Sequence, residues 1–253
     1  PIPVVLVGAQ RSSDRGSSDA SINLIHATKF ACSDIAEVCV VMHATPNDSY
    51  SYAHRATKVR KMHTSRRDAF KSINASALAK INKKVEFLEK NYKNRDKSRK
   101  LTLQSKLNND VALIKIHPGI KSKLFDFLLK EKYQGVVIEG TGLGHAPINY
   151  ITDFTFENKK IFDKIKELCD NNIIVAMTSQ CLFGRVNMDV YSTGRDLQKI
   201  GVIPCEDMLP EVAYVKLMWA LGQNNDLNKV KEVMRTNICG EISDKRTLEQ
   251  FLD

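Results

Sequence analysis

The chain has 253 residues, enough for two modest domains or for one domain with a large insertion. Its 43% hydrophobic and 26% charged residues exclude disorder as the default state, and no apolar run is long enough to span a bilayer. A net charge of +9 fits an acidic partner such as nucleic acid, a membrane surface or phosphate, and fits a lysine-rich solvated surface equally well.

The opening PIPVVLVGAQ has no initiator Met and enters a buried-type strand at once. The sequence is therefore expected to begin partway through a larger protein. Val4–Val7 predicts a strand. It runs into a Gly- and hydroxyl-rich loop, Gly8 to Asp19, and then a helix over Ala20–Ser33. Apolar strand, polar loop and helix in that order are the grammar of a parallel α/β sheet, whose ligands sit at the carboxyl ends of the strands. Asp19 is expected to cap the helix, with Ile22, Leu24, Ile25 and Phe30 turned inward. Glu37–Met42 predicts the next strand, and His43–Arg55, carrying Pro46, Asn47 and Asp48, a turn or loop.

Lys58–Asn74 (KVRKMHTSRRDAFKSIN) holds six Lys or Arg, one His and three hydroxyl side chains. A segment so polar reads as surface: either a solvated face or a site that handles an anion or activates a nucleophile. Lys61 is the candidate working residue. A Lys beside another cation, here Arg60, loses its proton more readily and can act as base for a hydroxyl. The other reading pairs Lys61 with a carboxylate such as Asp68. The residues alone leave both open.

Ala75–Leu103 is Lys-rich and predicts a hairpin in which Val85–Phe87 faces Leu101–Leu103 across a basic tip, with a helix over Ala77–Lys90 as the alternative. From Val111 a second strand-helix series begins. Strands are expected at Val111–Ile116, Val136–Ile138 and Ile173–Met177, with helices at Ser122–Lys132 and Glu157–Asn171. The domains are therefore placed at 1–107 and 108–253. Gly140-x-Gly142-x-Gly144 lacks the third glycine of a dinucleotide fingerprint and reads as a tight turn. Asp207–Gly222, with Pro210 in its first turn, predicts a buried helix, and Glu206 and Asp207 are either its cap or a pair of catalytic carboxylates. Asp226–Cys239 predicts a final helix. The six Cys form no CxxC pair and read as buried, reduced thiols.

Three stretches carry a resemblance: VVLVGAQRSSDRGSSDASINL, VRKMHTSRRDAFKSIN and TSQCLFGRVNMDVYSTGRDLQKIGVIPCEDMLPEVAYVKLMWALG. Together they resemble the asparaginase-like D subunit of archaeal glutamyl-tRNA(Gln) amidotransferase from Pro3 to about Gly222. The resemblance implies the C-terminal part of a parallel-sheet catalytic domain followed by a smaller α/β domain. It also implies hydrolysis of glutamine through an acyl-enzyme on a Thr. The ammonia passes to an E-type subunit, which uses ATP and Mg to convert Glu-tRNA(Gln) to Gln-tRNA(Gln). The family's catalytic set is two Thr, an Asp and a Lys, and the Lys carries over onto Lys61 as base for the second Thr. The TGGT and GTD motifs that hold the other three do not occur here. Also implied are a homodimer through the asparaginase-like domains, tRNA held mainly by the partner, no cofactor on this chain and a cytoplasmic location. An L-asparaginase fragment and a non-catalytic, basic tRNA- or subunit-binding protein are the alternatives.

Overall fold

The computed structural model describes residues 2–245 and 251. They fall into two compact units, one ending at Leu103 and one spanning Gln104–Asp244, with Lys245 and Phe251 grouped with the first.

In the first unit β1 (Val4–Val7), α1 (Ala20–Ala31) and β2 (Val38–His43) form a parallel strand-helix-strand turn. β3 (Ser51–Arg55) then returns antiparallel to β2. Much of the segment expected to be loop is thus sheet, and only residues 44–50 connect the strands. The turn residues Pro46, Asn47 and Asp48 were legible, but the strand after them alternates polar and apolar side chains and hid its burial. Helix α1 also turns differently from expectation. Asn23, His26, Ala27 and Phe30 are buried, while Leu24 and Ile25 face outward. The inward set keeps the i, i+3, i+4, i+7 spacing of one helix face; the predicted apolar set did not.

The cationic stretch folds as a two-stranded hairpin, β4 (Val59–Lys61) with β5 (Phe70–Ser72). Contrary to a wholly solvated reading, Lys58 is only 1% exposed and Ile73 is fully buried. The chain continues with β6 (Ala79–Ile81) and β7 (Val85–Phe87), which pair with each other, giving a five-stranded sheet of order β1-β2-β3-β6-β7. Neither the predicted pairing of Val85–Phe87 with Leu101–Leu103 nor a helix over Ala77–Lys90 forms. Asn82 reverses the chain locally, its side-chain oxygen accepting from the Lys84 amide at 3.0 Å. Leu101 stays 81% exposed.

The second unit is a four-stranded parallel sheet of order β11-β10-β9-β8, made of β8 (Val111–Lys115), β9 (Gly135–Gly140), β10 (Ile174–Ser179) and β11 (Ile203–Pro204). Three helices connect these strands in turn: α2 (Lys123–Lys130), α3 (Phe156–Asp170) and α4 (Ser192–Lys199). Strands laid down in steadily advancing order by right-handed crossovers place all their connecting helices on one face. One core does join Phe125, Leu128, Ile161, Ile165, Leu168 and Leu197 to Val136, Ile138 and Val175. Helices α5 (Pro210–Gln223) and α6 (Leu227–Arg235) cover the other face, where Ala213, Leu217 and Val230 meet Val137, Ile174 and Ala176. The alternation of Val136 and Ile138 with Val137 explains why β9 reads as an unbroken apolar run.

Residues 104–107 lie on α5: the Trp219 indole N–H donates to the Gln104 carbonyl at 3.0 Å, and the Gln223 amide to that of Lys106 at 2.6 Å. Leu209, and neither Glu206 nor Asp207, occupies the cap position of α5. Asp207 instead accepts from the Ser243 amide at 2.9 Å, and Glu206 pairs with Arg185 at 3.1 Å. The glycine turn closes on its neighbours as expected: a Cβ on Gly140 would lie 2.8 Å from the His145 carbonyl oxygen. All six cysteines are free, but Cys32, Cys181 and Cys239 are exposed rather than buried. Among the described residues no helix is long and apolar enough to cross a membrane.

Candidate active site

The loop after β1 leaves the carboxyl end of a parallel strand, and a buried carboxylate fixes it there. Asp19 stands at the head of α1 but makes no cap with its side chain. It turns back and accepts from the Gln10 amide at 3.0 Å and the Arg11 amide at 2.9 Å. Burial alone would raise its pKa; the hydrogen bonds from Arg11, Gln10 and Asn23 outweigh that and hold it below the usual carboxylate range. Asn23, one turn further on, donates to Asp19 and to the Gly8 carbonyl, both at 2.9 Å.

The chain of contacts continues through His43 at the end of β2. Its Nδ1 meets Asn23 Oδ1 at 2.5 Å and its Nε2 meets Asp48 at 3.0 Å. Asp48 also receives Arg67 Nη1 at 2.6 Å, and Arg67 Nη2 donates to the Ser17 carbonyl at 2.5 Å. The hydrogen bond from His43 and the charge of Arg67 lower the Asp48 pKa. Three loops are therefore locked together: the one after β1, the one between β2 and β3, and the one joining β4 to β5. Asp19→Ala should remove the acceptor for two loop amides. The expected cost is about 2–3 kcal/mol, read by chemical denaturation, with faster tryptic cleavage at Arg11 and Arg15.

Lys61 lies at the end of β4, exposed, in register with Phe70. The loop it leads into is the one that Arg67 ties to Ser17. Arg60 and Lys61 are adjacent on β4, where successive side chains leave from opposite faces. The structure corrects one expectation. Asp68 is not the partner of Lys61: it takes a bidentate pair from Arg66, both contacts at 2.8 Å, with Lys71 at 4.0 Å. The Arg66 hydrogen bond lowers the Asp68 pKa. Lys61 is thus left outside the ion pairs of its own hairpin.

Asn23, His43 and Arg67 were not singled out in the sequence, and Asp48 was read only as a turn residue. Each looked ordinary by itself, and they meet only where α1, the end of β2 and the β2–β3 and β4–β5 loops come together. Two further histidines are buried. His26 Nδ1 contacts Ser51 Oγ at 2.9 Å. His54 Nδ1 contacts Ser72 Oγ at 2.8 Å, and burial, helped by the charge of Lys71, pushes the His54 pKa down to about 3. That ring is neutral at physiological pH and joins β3 to β5, which holds the Lys61 hairpin against the sheet.

The family description "Asparaginase, N-terminal" matches residues 1–93, and "Glutaminase/Asparaginase C-terminal domain" matches residues 110–234. The solved thermostable L-asparaginase of Thermococcus kodakarensis superimposes with a TM-score of 0.84 at 30% identity, covering 97% of this chain and 69% of that one. The chain belongs to the glutaminase/asparaginase family. Within it, a Pyrococcus furiosus protein named as the D subunit of glutamyl-tRNA(Gln) amidotransferase is 56% identical over 252 residues, 99% of this chain and 55% of the relative. A Pyrococcus abyssi protein of the same name is 53% identical over the same share. The chain spans about half the length of these curated relatives. In this asparaginase-like frame the α/β architecture expected from the sequence is the one observed.

Proposed function

We propose that this chain forms part of the glutamine-hydrolysing component of a tRNA-dependent amidotransferase. In this reading a Thr hydroxyl attacks the glutamine carboxamide, ammonia leaves, and water releases glutamate from the acyl-enzyme. Lys61 is the base for a second Thr. Neither Thr lies in this chain, whose sequence lacks TGGT and GTD. An E-type partner with ATP and Mg would consume the ammonia on Glu-tRNA(Gln) in the cytoplasm, with tRNA held mainly by that partner and two copies joined through the asparaginase-like domains. The observation that carries the reading is the 56% identity to an amidotransferase D subunit across 99% of this chain. The placement of Lys61 on a hairpin tied to the loop after β1 supports it.

The test adds a polypeptide bearing the TGGT and GTD motifs and follows ammonia release from glutamine and from asparagine. Glutamine turnover supports the proposal. Turnover of asparagine alone would make the protein an asparaginase component, and turnover of neither would remove the chemistry.

One observation favours a second, binding role. Between Lys80 and Lys100 there are nine Lys or Arg against three Asp or Glu, and Lys83, Lys84, Lys90, Lys97 and Lys100 are all exposed. If this ridge neutralises about four phosphates, tRNA affinity should fall roughly a hundredfold between about 50 and 200 mM salt. Filter binding with the chain alone reads this directly. Salt-independent binding, or none at low salt, would assign the ridge to solvent.

A further inference from the structure

Strands β4 and β5 form a two-stranded sheet of their own, with three residues in each. A ribbon that short does not hold its aim in water by itself, so the groups that point Lys61 lie outside it. Its base is tied to β3, where Ser72 Oγ meets His54 Nδ1 at 2.8 Å, and the flanking Lys58 and Ile73 are buried. Its tip is different. His63, Thr64, Ser65 and Arg66 are all exposed. His63 Nδ1 accepts from the amides of Ser65 and Arg66, both at 3.1 Å, and Arg66 pairs with Asp68, so these contacts stay within the hairpin.

Arg67 reaches out of it. Its side chain is 12% exposed, with Nη1 on Asp48 at 2.6 Å and Nη2 on the Ser17 carbonyl at 2.5 Å. One planar fork therefore spans two loops in fixed directions, which the single ammonium of a lysine does not reproduce. Asp48 is itself largely open to solvent, and His43 Nε2 holds it at 3.0 Å. His43 is buried and fixed from its other side. The Asn23 amide group donates to the Gly8 carbonyl and to Asp19, so the atom it turns to His43 Nδ1, at 2.5 Å, is its oxygen. The run Asn23–His43–Asp48–Arg67 thus carries the placement of α1 and of the end of β1 out to the tip of the Lys61 hairpin.

We propose that Arg67 is a positioning residue for Lys61: its guanidinium sets the tip of the β4–β5 hairpin, and so the lysine that closes β4, against the loop after β1. The proposal rests on the reading of Lys61 as the base. Arg67 touches neither substrate nor reacting atoms in this scheme. It acts through Lys61, and its loss leaves the lysine present but misaimed.

The experiment has two arms. In the chain alone, amide hydrogen exchange should quicken at residues 62–69 in Arg67→Ala, while β2 keeps its protection and shows that the variant folds. Arg66→Gln removes the same charge from the same loop and should leave exchange at residues 15–19 as it is. In the chain completed by the TGGT- and GTD-bearing polypeptide, Arg67→Ala should lower kcat for glutamine about 10²-fold, the cost of a displacement of about 1 Å, with KM within about threefold. Arg67→Lys should stay within about threefold of Arg67→Ala, because it keeps the charge without the fork. On a Lys61→Ala background, Arg67→Ala should change kcat by less than about twofold, since two residues acting as a unit are not additive. Unaltered exchange at residues 62–69, full activity in Arg67→Lys, or a loss that multiplies with that of Lys61→Ala would each overturn the proposal and leave the Lys61 role standing. Full turnover in Lys61→Ala would instead remove the reading of Lys61, and the positioning role with it.

Discussion

Lys61→Ala, in the chain completed by a TGGT- and GTD-bearing polypeptide, should lower glutamine turnover by about 10²–10⁴-fold, the usual contribution of a positioned general base. The loss should fall on kcat, because the proposed role lies in proton transfer and not in holding the substrate. Lys61→Arg should be as inactive as Lys61→Ala, since a guanidinium keeps its proton at any working pH. A merely structural or charge-balancing lysine would tolerate arginine, so the pair of variants separates the two roles. Retained turnover in Lys61→Ala would take Lys61 out of the mechanism altogether.

A comparable effect on stability is expected far from that hairpin in the sequence. Lys216 on α5 and Glu241 are both buried, with Nζ 2.6 Å from the carboxylate and 2.6 Å from the Thr236 carbonyl. Burial would raise the Glu241 pKa; the Lys216 ammonium and the amides of Cys239 and Ile238 outweigh it and bring it to about 2. Glu241→Ala would leave the ammonium of Lys216 buried without its counter-charge. The expected cost is about 3–5 kcal/mol, the range for breaking one partner of a buried pair. Replacing both by apolar residues of similar volume (Lys216→Met with Glu241→Leu) should recover most of it. Urea denaturation of the single and double variants measures this.

The same pair sets an acid limit. A carboxyl group held below its unfolded pKa stabilises the fold above that unfolded value, and the stabilisation is lost as pH falls towards the folded one. For Glu241 the interval runs from 4.5 down to about 2. It carries up to about 3 kcal/mol. Glu241→Gln should flatten the stability of the second unit across that interval, read as Tm against pH.

The second unit was largely legible in the sequence because its signals are local. β8, β9 and β10, and helices α2, α3 and α5, fall within a few residues of their apolar runs. The first unit was harder. β3 alternates Ser51, Ala53 and Arg55 with Tyr52 and His54, and its burial comes from α1 and the hairpin, which lie elsewhere in the chain. Lys58 was read as surface together with the cationic stretch it opens, and its burial shows only in the fold. The resemblance singled out Lys61. Composition could not indicate that Arg67, six residues on, is what ties that hairpin to the loop after β1. Asp19 was placed correctly at the start of a helix, yet the amides it satisfies precede it, a choice made by the path of the loop and invisible in residue spacing.

The one-way march of strands in the second unit has a consequence for its birth on the ribosome. When β11 has emerged, the α2–α3–α4 side is already complete, but Val137, Ile174 and Ala176 have nothing over them until α5 and α6 follow. A chain ending at Cys205 would display that greasy sheet face to chaperones, and the remainder of the unit, with α5 and α6, acts as its closing cover.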